Sequence, residues 1–506
     1  MSSKILSAAV IGLDAELVEV EADTGGGQLG NFTIVGLPDI AVQESRERVR
    51  SAIKNSGFDF PKLKVTVNLA PADLKKHGPS YDLPIAISIL QTTRKIEITE
   101  PLDNILFLGE LALNGDLRPI NGVLPIVMRA RNKNIKTVFV PEKNAVEAKL
   151  VKELTVVPVK NLADLVWHLE GRKKIDEIMA SEFNFTNAPI EFDMAHIRGQ
   201  EHVKRAMEIA AAGGHNILMS GPPGSGKTLI AKTMPSILPN LTLEEALEIT
   251  KLYSVAGLLN SENSLVTNRP FRSPHHTASG VALVGGGAWP RPGEISLAHR
   301  GVLFLDEFAE FPRQVLENLR QPLEDGIVNV SRAAGNLTFP AKFMLIAAMN
   351  PCPCGFMTDA EKKCVCSSGQ IINYRKKISG PILDRIDLHI EVPRLHFDKL
   401  STIEPGENSN DIKSRVEQAR TIQRERLRET PFITNSEMNS EAVKNFCKID
   451  STSQQILKSA VEQMHLSARA YFRVLKLART IADLAVSETI ISSHVAEALQ
   501  YRPKIE

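Results

Sequence analysis

The sequence of 506 residues lacks any uninterrupted apolar run long enough to cross a bilayer. It also lacks an excess of either charge, because 60 Lys and Arg oppose 59 Asp and Glu. This balance excludes a polyanion-binding surface spread over the whole chain, although a local basic face would be sufficient for nucleic acid. Residues 1–27 carry acidic and polar side chains where a signal peptide needs an apolar centre and a cleavage site. We therefore expect a cytoplasmic protein without a membrane partner.

Cysteine is scarce outside one short stretch. In a reducing cytosol, disulfides explain such a cluster poorly, and a metal site or idle reduced thiols explain it better. Zinc sites usually use cysteines separated by two to four residues, and the C-x-C pairs here are closer. Structural Zn²⁺, reduced thiols and a redox pair therefore all stay open, with Zn²⁺ as the first hypothesis. Of the five cysteines, the four in this stretch are Cys352, Cys354, Cys364 and Cys366.

Internal repeats and low-complexity tracts are absent, so local patterns have to define the domains. A chain of this length predicts about two to four of them. Residues 1–170 mix alternating strands with helices, and residues 171–190 have the composition of a linker. Short apolar strands alternate with helices over 191–395, which predicts an α/β core that contains the cysteine insertion at 352–366. Residues 396–506 are predicted to be helical.

A glycine-rich loop follows a short apolar strand and precedes a helix. It fits the pattern G-x-x-x-x-G-K-[ST], in which backbone N–H groups and the helix dipole hold phosphates. The alternative is a turn that binds nothing, which the strand–loop–helix context opposes. We predict binding of ATP and Mg²⁺, with the lysine on the phosphates and the threonine hydroxyl on Mg²⁺. The loop consists of Gly221, Pro222, Pro223, Gly224, Ser225, Gly226, Lys227 and Thr228.

Two later strands also end in polar residues that suit ATP hydrolysis. Asp306 and Glu307 follow the apolar residues 302–305, at the strand end where α/β sheets bind ligands. Asp306 is predicted to hold Mg²⁺ and Glu307 to polarise the attacking water. Asn350 ends a third apolar strand and is predicted to orient that water or to contact the γ-phosphate. A simple cap of the strand end is the alternative for Asn350.

Longer motifs resemble a known family. Residues 269–311, the stretch AAMNPCPCG at 347–355 and the stretch SGPILDRIDLHIEVP at 379–393 resemble the magnesium-chelatase-like AAA+ ATPases of the YifB or ComM type. The resemblance extends over nearly the whole chain. It implies a P-loop AAA+ core followed by a helical C-terminal lid.

The resemblance also implies a homohexameric ring with ATP between neighbouring subunits. Arg385 occupies the position of an arginine finger that reaches the neighbour's nucleotide, where a guanidinium would neutralise developing charge. A surface arginine paired with Asp384 or Asp387 is the alternative. A second arginine sensor is expected on the C-terminal helices; we favour Arg469, and Arg473 stays open.

Residues 271–287 are rich in Gly, His and Ser, and the resemblance implies an insertion that faces the channel of the ring. His275 and His276 within it are candidate metal ligands. Adjacent histidines on loops are more often polar surface residues.

The N-terminal domain resembles the Lon-type protease domain through the stretch LKKHGPSYDLPIAISIL at 74–90. Ser80 matches the nucleophile of that family. The position of the lysine base is filled by Leu124, and a serine without a base is a poor nucleophile. We therefore predict a protease-like fold without proteolysis, in which Ser80 caps the N-terminus of a helix.

Two helical segments, 411–429 and 468–479, are rich in cations. Their composition favours DNA no more than it favours a solvated, ion-paired face. The competence branch of the family is associated with DNA branch migration, so the resemblance implies an ATP-driven motor that remodels DNA, with helicase-like activity. The alternatives are a chelatase motor that inserts metal into a tetrapyrrole, which the N-terminal domain opposes, and a Lon-like protease, which Leu124 opposes. The cations are Lys413, Arg415, Arg420, Arg424, Arg426, Arg428, Arg469, Arg473, Lys476 and Arg479.

Overall fold

The structure is a computed structural model. Residues 180–190 of the predicted linker and the predicted boundary at 395/396 lie outside the residues that it describes. The described residues are 3–25, 31–98, 101–179, 191–260, 264–287, 290–332, 335–359, 361–394 and 406–503.

Eighteen strands are present in the described residues. They are β1 (Ser3–Ile11), β2 (Asp14–Gly25), β3 (Phe32–Val35), β4 (Lys64–Ala70), β5 (Ile105–Phe107), β6 (Glu110–Leu111), β7 (Leu117–Arg118), β8 (Thr137–Pro141), β9 (Thr155–Val159), β10 (Ile217–Ser220), β11 (Phe271–Arg272), β12 (Gly285–Gly286), β13 (Arg291–Pro292), β14 (Val302–Leu305), β15 (Ile327–Arg332), β16 (Gly335–Pro340), β17 (Met344–Met349) and β18 (Leu388–Glu391).

The α-helices of the described residues range from one turn to five. They are α1 (Ile40–Asn55), α2 (Asp82–Thr92), α3 (Val123–Asn132), α4 (Ala145–Ala148), α5 (Leu162–Leu169), α6 (Glu201–Gly213), α7 (Lys227–Ile237), α8 (Leu243–Ala256), α9 (Gly280–Val284), α10 (Glu294–Leu297), α11 (Arg313–Glu317), α12 (Arg320–Asp325), α13 (Ser368–Arg375), α14 (Gly380–Leu383), α15 (Ser409–Leu427), α16 (Ser440–Phe446), α17 (Ser451–Gln463), α18 (Ala468–Leu484) and α19 (Ser492–Gln500).

The chain forms two compact units. The N-terminal unit comprises Met1–Thr186 and Leu243–Thr267, and the P-loop unit comprises Asn187–Thr242 and Asn268–Glu506. The segment that carries α8 thus belongs to the N-terminal unit, although it follows the P-loop in the sequence. The domain boundaries given above stay predictions.

A seven-stranded mixed sheet forms the centre of the N-terminal unit, in the order β3-β4-β2-β1-β5-β8-β9. Strands β1, β2 and β4 pair antiparallel, and the remaining neighbours pair parallel. Helix α2 is apolar and buried along most of its length. Helix α8 closes the unit against α3, where the N–H of Gly122 donates to the carbonyl of Ser254 at 3.1 Å.

The sheet of the P-loop unit is entirely parallel, with the order β11-β14-β17-β10-β18. Every residue of β14 and β17 is buried, as the apolar sequences VLFL and MLIAAM predict for strands covered on both faces. Strand β17 lies between β14 and β10. The carboxyl ends of these three strands therefore lie side by side.

The C-terminal residues 409–500 form five helices that share one hydrophobic core with the parallel sheet. Local signals define their starts: the Asn408 side chain accepts from the N–H of Asp411, and the Ser467 side chain accepts from the N–H of Ala470. The prediction that this region is helical is confirmed for these residues.

None of the described helices combines the length and the apolar composition that a transmembrane span requires.

Candidate nucleotide site

The P-loop connects β10 to α7, as the sequence pattern predicts. Gly224 and Gly226 have φ values of +79° and +88°, which side chains with a Cβ rarely adopt, so glycine is required at both turns. The loop thereby delivers Lys227 as the first residue of a helix.

The Lys227 side chain folds back over the loop. Its Nζ donates to the carbonyls of Gly221 at 2.7 Å and Pro222 at 2.9 Å, and it lies 3.4 Å from Oδ1 of Asn350. Burial lowers the pKa of Lys227, and the nearby Asp306 carboxylate acts in the opposite direction. The Lys227 amine therefore contacts both the P-loop and Asn350, the residue that follows β17.

The two residues predicted to hold Mg²⁺ are in direct contact. The Thr228 hydroxyl donates to Oδ2 of Asp306 at 2.7 Å, and Oδ1 of Asp306 accepts from the N–H of Glu307 at 2.9 Å. A hydroxyl and a carboxylate oxygen are the hard ligands that suit Mg²⁺. The donor set therefore fits this ion.

Glu307 has an unusual backbone and a partner that the sequence analysis did not assign to it. Its φ is +52°, a left-handed conformation that is uncommon outside glycine. Its side chain is 56% exposed, and Oε2 lies 3.0 Å from Nδ1 of His276. His276 therefore faces the predicted base. His275 contacts Thr277 instead, at 2.8 Å.

The predicted arginine finger and the favoured second sensor converge on one carboxylate. The Arg385 side chain, of which 6% is exposed, pairs through its guanidinium with Oε2 of Glu324 and donates to the carbonyl of Pro381 at 2.7 Å. Arg469, which is 58% exposed, pairs with Oε1 of Glu324 at 3.0 Å. Within one chain, Glu324 thus links the two arginines.

Arg473 has a different environment. It pairs with buried Asp387 at 2.5 Å and donates to the carbonyl of Arg385 at 2.9 Å. Nδ1 of buried His215 lies 3.3 Å from the same carboxylate. Burial by itself raises the pKa of Asp387, but Arg473 and His215 outweigh it and hold the pKa well below its usual range. Arg473 therefore takes part in a buried ion pair, and the choice of Arg469 over Arg473 as the second sensor stays a prediction.

The four clustered cysteines bring their sulfurs together. All four Sγ atoms lie within 4.8 Å of one another. Cys352 Sγ is 3.4 Å from that of Cys354 and 3.6 Å from that of Cys364. A tetrahedral zinc–thiolate centre with Zn–S bonds of about 2.3 Å places its sulfurs about 3.8 Å apart. The donor set therefore fits zinc.

No other group of three or more potential metal-ligating residues comes together in the ranges that the structure describes. His275 and His276 therefore do not belong to such a group there. The explanation of the pair as polar, hydrogen-bonding residues agrees with their contacts.

In the N-terminal unit, the Leu124 side chain is fully buried. Its backbone N–H donates to Oε1 of the buried Glu147 at 2.8 Å. The prediction that Ser80 caps a helix is wrong. Ser80 lies in the short 3₁₀ turn Pro79–Tyr81, and α2 begins afterwards with no side-chain cap.

Most cations of the two basic segments bind inside the chain. Arg415 pairs with Glu208 and Glu407, and Arg426 pairs with Asp483. Four further cations bind an asparagine side chain, a carboxylate or backbone carbonyls of the same chain. They are Lys413, Arg420, Lys476 and Arg479. Arg424 and Arg428 are exposed. Internal contacts therefore occupy most of the cations that these two segments carry.

Sequence reasoning found the residues at strand ends and missed their partners. In the sequence, His276 stands out only as one of a histidine pair, because its contact with Glu307 joins positions 31 residues apart. Glu324 carries no local signal, because the two arginines that it binds lie 61 and 145 residues away.

The parallel sheet and the P-loop with its two neighbouring strand ends define a P-loop α/β protein, and comparison with known families places the chain among the magnesium-chelatase-like AAA+ proteins. Models of this family match the chain in three parts: "Magnesium chelatase, subunit ChlI" over residues 193–400, "Subunit ChlI of Mg-chelatase" over 18–144, and "Magnesium chelatase, subunit ChlI C-terminal" over 406–502.

Relatives define the family further. The competence protein ComM of Haemophilus influenzae is 44% identical over 99% of this chain and 97% of its own length. YifB of Escherichia coli is 42% identical over 98% of this chain and 96% of its own. The chain belongs to this ComM/YifB family of magnesium-chelatase-like AAA+ proteins. A Lon protease of Mycolicibacterium smegmatis is 27% identical over 31% of this chain, which is a partial similarity.

Proposed function

We propose that the chain is an ATPase that couples hydrolysis to the remodelling of DNA, with helicase-like or branch-migration activity. The observation that carries the ATPase part is the meeting of Lys227, the Thr228–Asp306 pair and Asn350 at adjacent strand ends. Membership of the AAA+ family implies the same activity. The DNA part rests on the similarity to a protein named for competence.

The residues of the site have distinct roles in this proposal. Backbone N–H groups of the P-loop and the Lys227 amine hold the phosphates, and Thr228 and Asp306 hold Mg²⁺. Bound Mg²⁺ neutralises charge on the phosphate oxygens. Glu307 accepts a proton from the attacking water, and Asn350 orients that water. The hydrolysis step converts ATP and water into ADP and phosphate.

In this proposal Arg385 acts on a neighbouring subunit's nucleotide, and Arg469 is the second arginine sensor. Both bind Glu324 within one chain, so contact with nucleotide requires each guanidinium to exchange this carboxylate for phosphate oxygens. A homohexameric ring with the C-terminal helices as its lid would supply that neighbour. We also propose zinc at the four cysteines, since their geometry fits it.

Two other functions have less support. A chelatase motor shares the matched family models, and the Lon-like N-terminal domain predicted from the sequence opposes it. A Lon-like protease is supported only by a partial similarity and is opposed by Leu124, which is buried where a lysine base is expected.

The test uses purified full-length protein with forked and four-way DNA. We expect DNA to raise ATP turnover, ATP to promote strand exchange, and the gel shift to weaken as salt increases. A Glu307→Gln variant is expected to bind DNA with ATP and to leave the junctions intact. ATP hydrolysis that is indifferent to every DNA structure, with no DNA bound, would remove DNA from the proposal and favour the chelatase alternative.

A further inference from the structure

The cysteine loop, residues 351–367, lies against the P-loop. Gly355 is buried with φ +83°, and a Cβ at this position would lie only 2.6 Å from Cδ of Pro223. It would also lie 3.7 Å from Cγ of Asn350. The first cysteine arm is therefore packed under both the P-loop and the end of β17.

The second cysteine arm reaches the same place by another route. Helix α13 begins two residues after Cys366, where the Ser367 hydroxyl accepts from the N–H of Gln370 at 3.4 Å. Tyr374, near the end of this helix, is buried, and its phenol lies close enough to Asn350 to feel the backbone of that residue. Both arms of the cluster thus support Asn350, one directly and one through Tyr374.

Polar contacts around Asp359, which accepts from the N–H groups of Glu361 and Lys362 and pairs with Arg394, hold part of the cysteine loop, but few apolar contacts do. Its described residues contain no regular helix or strand. Val365, between two of the cysteines, is 84% exposed and adds nothing to a core. The four sulfurs are the feature shared by both arms. A loop with so few buried apolar side chains needs a covalent or metal link to keep one conformation.

We propose that a zinc ion held by the four cysteines fixes the P-loop and Asn350 in their nucleotide-binding geometry, so that metal occupancy sets the affinity for ATP. This inference rests on the proposed binding of ATP at the P-loop. Loss of the ion frees the two arms from each other. The support under Pro223 and beside Asn350 is then lost, although neither residue is itself a metal ligand.

Three variants of the full chain separate metal binding from nucleotide binding. Cys364→Ser with Cys366→Ser removes two ligands. Gly355→Ala keeps every ligand but places a methyl group against Pro223. Cys447→Ala, the matched control, changes the one cysteine outside the cluster.

Metal content is measured by elemental analysis of protein purified without chelator. A fluorescent ATP analogue, titrated with Mg²⁺ present, gives the nucleotide affinity. We expect about one zinc per chain in the wild type, in Gly355→Ala and in Cys447→Ala, and none in the double cysteine variant. Nucleotide affinity is expected to fall about tenfold in the double variant and in Gly355→Ala, and to stay unchanged in Cys447→Ala.

A second measurement covers the case in which the double variant does not fold. Wild-type protein is treated with a zinc-selective chelator that leaves Mg²⁺ in place and is then reloaded with zinc. Affinity that falls and returns supports the proposal. Absence of zinc from the wild type, or iron in its place, overturns the zinc site; unchanged affinity after complete zinc removal overturns the coupling. Zinc-loaded wild type that binds no nucleotide contradicts the proposed function instead.

Discussion

At the scale of single residues, the proposed chemistry depends on side chains that arrive from different strands. Lys227 starts a helix after β10, Asp306 and Glu307 follow β14, and Asn350 follows β17. All four side chains lie at the carboxyl ends of the strands of the parallel sheet. The roles are therefore separable, and single substitutions should dissect binding from turnover.

Lys227→Ala should weaken ATP binding about tenfold or more, because the amine that reaches the phosphates is gone. Equilibrium titration with a fluorescent ATP analogue measures this. Lys232→Ala on the same helix is the matched control, since Lys232 is exposed and lies over Phe192. Equal affinities for the two variants would show that the P-loop lysine does not bind nucleotide.

Glu307→Gln should keep ATP bound and lower turnover about 100-fold or more, because the amide cannot accept the proton of the attacking water. Phosphate release measures turnover. Glu310→Gln, in which only a pairing with Lys377 is lost, is expected to hydrolyse ATP at a normal rate. Wild-type turnover by the Glu307 variant would mean that another group is the base.

At the scale of elements, one buried ion pair joins α18 to the residue before β18. Asp387→Asn should destabilise the P-loop unit by about 3–5 kcal/mol, because Arg473 is left without its counter-charge. Thermal unfolding followed by circular dichroism provides the measurement. Asp384→Asn, three residues earlier and only half-buried, is the control. Similar melting temperatures for the two variants would contradict a structural role for the pair.

The same pair predicts the effect of acid. Because the folded state holds the pKa of Asp387 below its unfolded value of about 3.9, its stabilisation is complete above that pH. It is lost as the pH falls from there toward the folded pKa. Wild-type stability should therefore drop below about pH 4 more steeply than that of Asp387→Asn. Parallel pH profiles for the two proteins would contradict this assignment.

Local elements could be predicted from the sequence because their signals are local. The P-loop, the apolar strands and the capped helices all follow from adjacent residues. Partners across the fold could not be predicted: Glu324 for Arg385, His276 for Glu307, and Gly355 under Pro223. Helix α8 shows the same limit, since its helical sequence does not tell which unit it completes. The prediction for Ser80 is wrong because a Gly-Pro turn can lead into a 3₁₀ turn as well as into a capped helix.

At the scale of the whole molecule, mixing two variants tests whether neighbouring subunits share a nucleotide site. Arg385→Ala subunits should bind ATP and hydrolyse little, yet regain activity when mixed with Lys227→Ala subunits. At some interfaces of such a mixture, the intact P-loop of an Arg385→Ala subunit faces the intact Arg385 of a Lys227→Ala subunit. Phosphate release from verified mixtures is the measurement. Mixing with subunits that carry both substitutions should give no rescue, and an absence of rescue in the first mixture would argue against a shared site.

The N-terminal unit should be proteolytically inactive. Leu124 is buried where a base is expected, so the Ser80 hydroxyl is not activated by a lysine there. Incubation of an unfolded substrate protein with the full chain and ATP should leave the substrate intact by gel electrophoresis. Cleavage that disappears in Ser80→Ala would contradict this and promote the protease alternative.

The position of α8 also governs the order in which the chain can fold as it is made. Residues 1–186 leave the ribosome first, but they lack the segment Leu243–Thr267 that completes their unit. Domains usually fold as units, from the N-terminus onward, during synthesis. Here the first unit has to wait until the P-loop has been translated. A nascent chain that ends before residue 267 therefore carries an N-terminal unit that is still incomplete, although its P-loop has already been made.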